Sequence, residues 1–182
     1  RVKAMKPKFE EAKFKKISYP LIPAKPKKGE QIMAYAQIYF DEKLNKYVYD
    51  IVEPQITDKI KELSGKIKEL LEEKLDIDFS KLKISEAQDY IISQIDQMLK
   101  YYDFKISDVE KQILGYYMKR DFIGLGKIDA LMHDDRIEDI SCDGVGIPIF
   151  VFHKEQELGS MQTNISFESS EELDSFVTRL SQ

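Results

Sequence analysis

Residues 121–167 read DFIGLGKIDALMHDDRIEDISCDGVGIPIFVFHKEQELGSMQTNISF, and this stretch decides the fold. It begins with two glycines ahead of a short helical run, KIDALM. Three β-rich runs follow, each bounded by Gly, Asp, Asn or Ser: IEDIS (137–141), IPIFVFH (147–153) and TNISF (163–167). Such a succession is typical of a meander of strands. The stretch therefore predicts a short helix followed by three strands.

A further helix is predicted after the last of these strands. Ser169 stands three residues before Glu172, which is the spacing of a capping box at a helix N-terminus. The predicted buried face of this helix consists of Leu173, Phe176, Val177 and Leu180. The helical pattern runs to Gln182 and the sequence opens on Arg1. We therefore expect a piece of a longer protein, in which this second α+β unit is incomplete.

Upstream, the sequence predicts a β-hairpin and three amphipathic helices. Residues 34–40 and 47–52 alternate aromatic and smaller residues around a polar loop, DEKLNK. A first helix is predicted from one apolar stripe: Ile56, Ile60, Leu63, Ile67, Leu70, Leu71 and Leu75. Two further capping boxes, Ser85 with Gln88 and Ser107 with Glu110, predict the starts of the next two helices. Since both of these helices have a single apolar face, we expect them to pack on each other and on the hairpin.

These elements predict an α+β fold in which a helix-rich subdomain with a β-hairpin precedes a partial, smaller α+β subdomain. The predicted boundaries are a basic, Pro-interrupted tail (1–33), the helical subdomain with its hairpin (34–122) and the partial second subdomain (123–182). A length of 182 residues allows one ordinary domain or two small ones.

Charge is distributed unevenly along the chain. Residues 1–28 carry a net charge of +8, whereas residues 29–182 carry −13. A basic tail of this kind is a candidate for binding an anionic surface, such as a membrane, a nucleic acid or an acidic protein. The alternative is that the tail is a solvated terminus. Four prolines interrupt the tail, so an unbroken amphipathic membrane helix is not expected there.

The compartment is predicted to be the cytoplasm. Cys142 is the one cysteine, so the chain cannot form an internal disulfide, and this suits a reducing environment. No apolar run approaches the roughly 20 residues that cross a bilayer, and no segment has the pattern of a signal peptide.

The glycines do not form a phosphate-binding motif. A phosphate loop that used Gly126 and Lys127 would need a glycine at Asp121 and a Ser or Thr at Ile128. A dinucleotide fingerprint fails because its third glycine is replaced by Asp129 after Gly124 and Gly126, and by Ile149 after Gly144 and Gly146. These glycines are predicted to be turn residues with positive φ.

Metal binding and catalysis are not predicted either. His133, Asp134, Asp135 and His153 could be drawn as a metal site with Asp139 or Asp143, but no recognised ligand spacing supports it. Cys142 has no neighbouring His or Lys that would lower its pKa and make it a nucleophile. No catalytic or metal-ligating residue is therefore predicted, and no cofactor-binding residue is assigned.

Nucleic-acid binding is not expected. Tyr35, Tyr39, Tyr47 and Tyr49 lie near the basic tail, and aromatics beside positive charge can hold single strands. The acidic body repels phosphates, however, and aromatics that alternate along strands are typical of cross-strand core pairs.

Several strings, taken in order, resemble the amino-terminal region of the archaeal secretion ATPases, which serve type II and type IV secretion, pilus assembly and the archaellum. They are YPLI (19–22), AYAQIYF, YVYDIVEP, KRDFIGLGKIDALM, IEDISCDGVGIPIFVFH, TNISF and EELDSFVTRLSQ. The resemblance spans most of residues 19–182. It is least diagnostic over residues 56–102, and the HKEQELGS loop is longer than the family pattern.

The resemblance implies that ATP and Mg²⁺ bind only in the parent protein, with hydrolysis in a C-terminal ATPase domain that this sequence lacks. It implies a hexamer, whose partners are that domain, the neighbouring subunits and cytoplasmic motor or secretion proteins. A peripheral location at the inner face of the cell membrane is expected, with the basic tail contacting anionic lipid. Arg120, Arg136 and Arg179 are expected to form helix-end salt bridges rather than to reach the nucleotide.

Within this family we favour the archaellum motor over a pilus or protein-secretion ATPase, because a basic tail ahead of YPLI suits a membrane-associated motor. The alternative from a different class is a non-enzymatic helical adaptor that reuses the same module.

Overall fold

A computed structural model describes residues 16–74, 81–155 and 157–181, which have the predicted α+β fold. The strands are β1 (Ile17–Ile22), β2 (Ala34–Asp41), β3 (Lys46–Val52), β4 (Ile137–Ser141), β5 (Phe150–His153) and β6 (Ser160–Thr163). The helices are α1 (Asp58–Lys74), α2 (Ile84–Tyr101), α3 (Asp108–Phe122), α4 (Asp129–Met132) and α5 (Ser170–Leu180), with a 3-10 turn at Gly126–Ile128. In the part of the chain that the structure describes, no helix is long and apolar enough to cross a membrane.

The six strands form one sheet in the order β1-β2-β3-β6-β5-β4. Neighbouring strands are antiparallel except β3 and β6, which run parallel and pair Val48 with Gln162 and Tyr49 with Thr163. The Asn164 side chain continues this short ladder, because it accepts a bond from the Ile51 N–H (2.8 Å) and donates to the Ile51 carbonyl (2.9 Å). The hairpin and the later strands are thus joined in one sheet.

One face of this sheet is buried. Alternate residues of each strand point to the same side, so every second side chain enters the core. The buried set on the strands and their extensions includes Ala34, Ala36, Ile38, Tyr49, Ile51, Ile149, Val151, His153, Met161 and Thr163. Of the four hairpin tyrosines only Tyr49 is fully buried, whereas Tyr47 packs edge-on against Phe40 with 5.4 Å between the ring centroids. Tyr35 and Tyr39 alternate with the core residues and lie on the opposite face.

Strand β1 was not predicted, since the sequence placed residues 17–22 in the basic tail. A proline is tolerated in an edge strand or at a bulge, because it cannot donate to a ladder. Pro20 meets both conditions: β1 is at the edge of the sheet, and its register with β2 shifts between Pro20 and Ile22. The following Ile22–Pro23 peptide is cis. Residues 1–15, which hold six of the ten Lys or Arg of the predicted basic tail, lie outside the described residues.

The structure groups these elements differently from the sequence-based division. One compact unit combines the chain up to Glu53 with Ala130–Leu173, and it contains the whole sheet. The other combines Pro54–Asp129 with the segment from Asp174 onwards, and it contains α1, α2 and α3. The hairpin therefore belongs with the later strands, which supply its pairing partner β6.

The helical unit has its own hydrophobic core between α1, α2 and α3. The fully enclosed members are Leu63, Ile67, Leu71, Ile91, Ile95, Met98, Leu99, Leu114 and Met118. These residues recur at three- and four-residue steps, which is why the three apolar stripes meet. The stripe predicted for the first helix is confirmed from Ile60 to Leu71, whereas Ile56 precedes the helix and Leu75 lies outside the described residues.

The predicted helix caps have mixed outcomes. The Ser107 box is confirmed, with Glu110 N–H donating to Ser107 Oγ (3.1 Å) and Ser107 N–H donating to Glu110 Oε2 (2.7 Å). The box predicted for Ser85 is wrong, because the N-cap of α2 is Lys83, two residues earlier, and Lys83 N–H donates to Glu86 (3.0 Å). Ser169 accepts from the Glu172 N–H (3.2 Å), as predicted, and the Glu172 carboxylate also accepts from the Glu168 N–H (2.9 Å).

Two predicted segments are corrected. Run 137–141 is confirmed as β4, whereas the strand predicted at 163–167 lies at Ser160–Thr163. The Thr163 hydroxyl donates to the Ile149 carbonyl (2.7 Å) and accepts from the Ile165 N–H (3.1 Å), while the Ile149 N–H donates to the Ile165 carbonyl (2.8 Å) beyond the end of the strand. The buried face predicted for α5 is wrong: no residue of α5 is buried, and Val177 and Leu180 are 54% and 52% exposed.

Truncating a core residue of the helical unit tests this packing. Ile95→Ala should lower the free energy of unfolding by about 2–5 kcal/mol, because it leaves a cavity among α1, α2 and α3. Ile84→Ala is the matched control, since Ile84 lies on the same helix but is 70% exposed. Urea unfolding of both variants measures the difference, and equal losses would contradict the assigned core.

Candidate functional site

A buried carboxylate lies in the turn between α4 and β4. Asp134 is only 7% exposed. Its N–H donates to the Leu131 carbonyl (3.1 Å), and its own carbonyl accepts from the Ile137 N–H (3.1 Å), which fixes the turn. Its Oδ1 accepts from the Arg136 backbone N–H at 2.9 Å. The other carboxylate oxygen is therefore directed into the sheet unit.

Two tyrosines from separate strands donate to that second oxygen. The Tyr19 hydroxyl on β1 lies 2.5 Å from Asp134 Oδ2, and the Tyr49 hydroxyl on β3 lies 2.6 Å from it. Bonds to an ionised acceptor are short and strong. Burial first, and then the bond to Asp134, raises the pKa of both phenols. Both therefore remain protonated donors, and the three side chains hold together segments that are far apart in sequence.

His153 completes the cluster from the end of β5. Its ring is 2% exposed, with Nε2 3.5 Å from the Tyr19 hydroxyl. Its Nδ1 accepts the Glu155 N–H at 3.1 Å, so a neutral ring carries its proton on Nε2. Burial lowers the pKa of His153; the charges of Glu155 and Asp134 oppose this shift, whereas Arg136 adds to it. The ring is thus held in its neutral form.

Arg136 lies over the outer side of the cluster. Its guanidinium carbon is 3.9 Å from the centroid of the Tyr19 ring, a cation–π contact. The expected helix-end salt bridge is therefore wrong for Arg136, which follows the Asp134 turn. It is confirmed for Arg120, which contacts Asp121 at 2.9 Å. Arg179 donates to the Gly124 carbonyl at 3.0 Å instead.

The cluster suits structural linkage rather than catalysis. Both carboxylate oxygens of Asp134 accept hydrogen bonds, and its small exposed fraction limits access by a substrate. Over the ranges that the structure describes, no group of three or more His, Cys, Asp or Glu side chains is arranged to hold a metal ion. Of the residues considered as possible metal ligands, Asp134 and His153 lie in the same cluster, where the Tyr19 hydroxyl contacts both. His133, Asp135, Asp139 and Asp143 are exposed.

Sequence reasoning missed the two tyrosines. The available signal was their position, because Tyr49 falls in phase with Ile51 on the core side of β3. A buried phenol needs a hydrogen-bond partner, and this requirement directs attention to a buried acid. The pairing with Asp134 itself depends on contacts across 115 and 85 residues of sequence.

The glycine segment before α4 is already occupied by a carboxylate of this chain. Asp129 Oδ1 accepts from the Leu125 N–H at 2.9 Å. A Cβ on Gly124 would lie 2.4 Å from that same oxygen, so Gly124 permits a close approach rather than a positive φ. Positive φ is confirmed for Gly126, Gly144 and Gly146. Gly124 is thus required by packing around Asp129.

No family model matches this chain. It is 37% identical over 154 residues, or 85% of its length, to the uncharacterized protein MJ1288 of Methanocaldococcus jannaschii. The chain spans 58% of the length of that relative.

Removing one phenol tests the cluster. Tyr49→Phe should lower the free energy of unfolding by about 1–3 kcal/mol, because Asp134 loses a donor in a buried site. Tyr39→Phe is the matched control: its hydroxyl also bonds a carboxylate, that of Asp50 at 2.9 Å, but it is much less buried, and it should cost less than about 1 kcal/mol. Chemical denaturation of both variants measures this, and equal costs would contradict the role of Asp134.

The neutral state of His153 predicts an acid-dependent loss of stability. Because its pKa is lowered on folding, the unfolded chain takes up the proton first as the pH falls. The stabilisation provided by the neutral His153 ring is fully present above pH 6.5, which is the pKa of this group in the unfolded chain. It is lost as the pH falls towards the lower pKa of His153 in the folded protein.

Unfolding free energies of the wild type and His153→Gln, measured from pH 7.5 downwards, separate this effect from that of the carboxylates. The variant should lose less stability across the window, whereas His133→Gln, at an exposed site, should follow the wild type. Parallel curves for the wild type and His153→Gln would contradict the assignment.

Proposed function

We propose that this chain is the amino-terminal, partner-facing and motion-transmitting domain of a hexameric secretion or archaellum motor ATPase. The observation that carries the proposal is the position of three segments that resemble the secretion ATPase family. YPLI lies in β1, IEDIS is β4 and FVFH is β5, and the Asp134 cluster connects β1 with the turn before β4. These three segments, which are far apart in sequence, thus lie in a single packed unit.

In this role the chain contributes binding and mechanical coupling, and a downstream domain contributes hydrolysis. The bond between Asp129 and Leu125 supports this division, because the glycine segment most like a phosphate loop is bound by an internal carboxylate. ATP and Mg²⁺ accordingly belong to the parent protein. The neighbouring subunits, the ATPase domain and cytoplasmic motor or secretion proteins are the proposed partners.

The proposed location is the cytoplasmic side of the cell membrane. The basic tail supports it, since ten Lys or Arg within residues 1–28 suit anionic headgroups. Residues 1–16 of this tail precede β1 directly, so a membrane contact through them would act on the edge strand that Tyr19 fastens to Asp134.

A non-enzymatic adaptor is the second candidate. The Asp134 cluster supports it, because both carboxylate oxygens accept hydrogen bonds from the chain itself and the cluster joins strands rather than presenting reactive groups. An adaptor would present the same sheet and helical units to partners without an ATPase domain of its own.

The gene beyond codon 182 distinguishes the two candidates. The motor proposal predicts a Gly-x-x-x-x-Gly-Lys-Ser/Thr loop in the continuing frame, whose Lys→Ala variant abolishes ATP hydrolysis by the full protein. Residues 1–182 alone should not hydrolyse ATP, and they should co-elute with the separately expressed downstream domain. A stop codon, or a frame without this loop, would contradict the motor and favour the adaptor.

A further inference from the structure

A small groove opens in the helical unit between α1 and the segment that precedes α3. It encloses about 110 Å³. Leu63, Phe104 and Ile106 form its apolar floor. Its rim consists of Lys59, Glu62 and Lys66 on one face of α1, and of Lys105 on the opposite segment. Small-molecule sites usually enclose about 300–1,000 Å³, so this groove suits a single side chain rather than a nucleotide.

The rim is positive although the body of the protein is acidic. Lys59 pairs with Glu110 (3.4 Å) and Lys66 with Glu62 (2.9 Å). These pairs are more than half exposed on the lysine side and therefore weak enough to be exchanged for a partner's carboxylates. Lys105 takes part in none of the ion pairs found within the described ranges. Around the groove, three lysines thus outnumber the two glutamates, Glu62 and Glu110. Residues 29–182 as a whole carry a net charge of −13.

An aromatic ridge extends the apolar floor towards solvent. Phe104 contacts Tyr102, with 5.9 Å between ring centroids, and Tyr102 contacts Tyr101 at 4.9 Å. Tyr102 is 45% exposed and Tyr101 82%. The Lys66 ammonium lies 5.7 Å from the Phe104 centroid, so cationic and aromatic groups are adjacent along the groove. Exposed aromatic side chains next to a pocket are typical of binding surfaces.

We propose that this groove binds an acidic segment of a partner protein that carries one apolar anchor side chain between carboxylates. The anchor occupies the space above Leu63 and Ile106, and the flanking carboxylates contact Lys59, Lys66 and Lys105. Charge complementarity selects the partner, because the rest of the acidic body repels such a segment. The site lies wholly within the helical unit, and it stands whether or not the parent protein is an ATPase.

The test uses residues 1–182 labelled with ¹⁵N and the peptide acetyl-Glu-Asp-Phe-Asp-Glu-amide, titrated at low salt. Amide shifts should change at residues 59–66 and 104–106, and raising the salt should weaken binding. Lys105→Glu should weaken the affinity about tenfold, because the flanking carboxylates then meet a like charge. Lys61→Glu is the matched control: Lys61 is exposed on α1 outside the groove, the variant changes the net charge equally, and the affinity should stay within about twofold.

Two further peptides separate the contributions. Replacing the Phe of the peptide with Ala should weaken binding, and replacing its acids with Lys should abolish it. The proposal is overturned if no shift occurs at low salt, if the shifts fall outside the groove, or if Lys105→Glu and Lys61→Glu weaken binding equally.

Discussion

The sheet unit depends on one buried carboxylate that accepts two phenolic hydroxyls. An acid as enclosed as Asp134 is costly unless hydrogen bonds replace its water. Tyr19, Tyr49 and the Arg136 amide supply those bonds. Because these donors come from β1, β3 and the turn before β4, the need to satisfy one charge connects the first and last thirds of the chain. His153 adds β5 to the same cluster.

The division into units follows from this arrangement. The chain leaves the sheet unit at Glu53 and returns at Ala130, and the intervening residues form a helical unit with a separate core. The parallel pairing of β3 with β6 is short, but the two Asn164 bonds to Ile51 lengthen it. The strands on both sides of the helical insertion therefore form one sheet, and the insertion can carry a binding groove without taking part in that sheet.

Local patterns predicted what local interactions determine. The hairpin runs, β4, the Ser107 cap and the α1 stripe from Ile60 to Leu71 depend on residues close in sequence, and these are confirmed. The strand around Pro20 was missed because its proline and basic neighbours suggest a tail, while its pairing depends on β2. The Tyr19–Asp134 and Tyr49–Asp134 contacts could not be predicted from spacing, because they need the complete strand order. The α5 face was wrong because periodicity shows which side is apolar, not what covers it.

The central claim is that the hairpin and the later strands open as one cooperative sheet, separately from the helices. Native-state amide hydrogen exchange at increasing denaturant measures it directly. The account predicts that amides in β2 and β3 share one opening free energy with those in β5 and β6, distinct from that of α2. If the hairpin amides instead open together with α2, and β5 and β6 open separately, the account is contradicted.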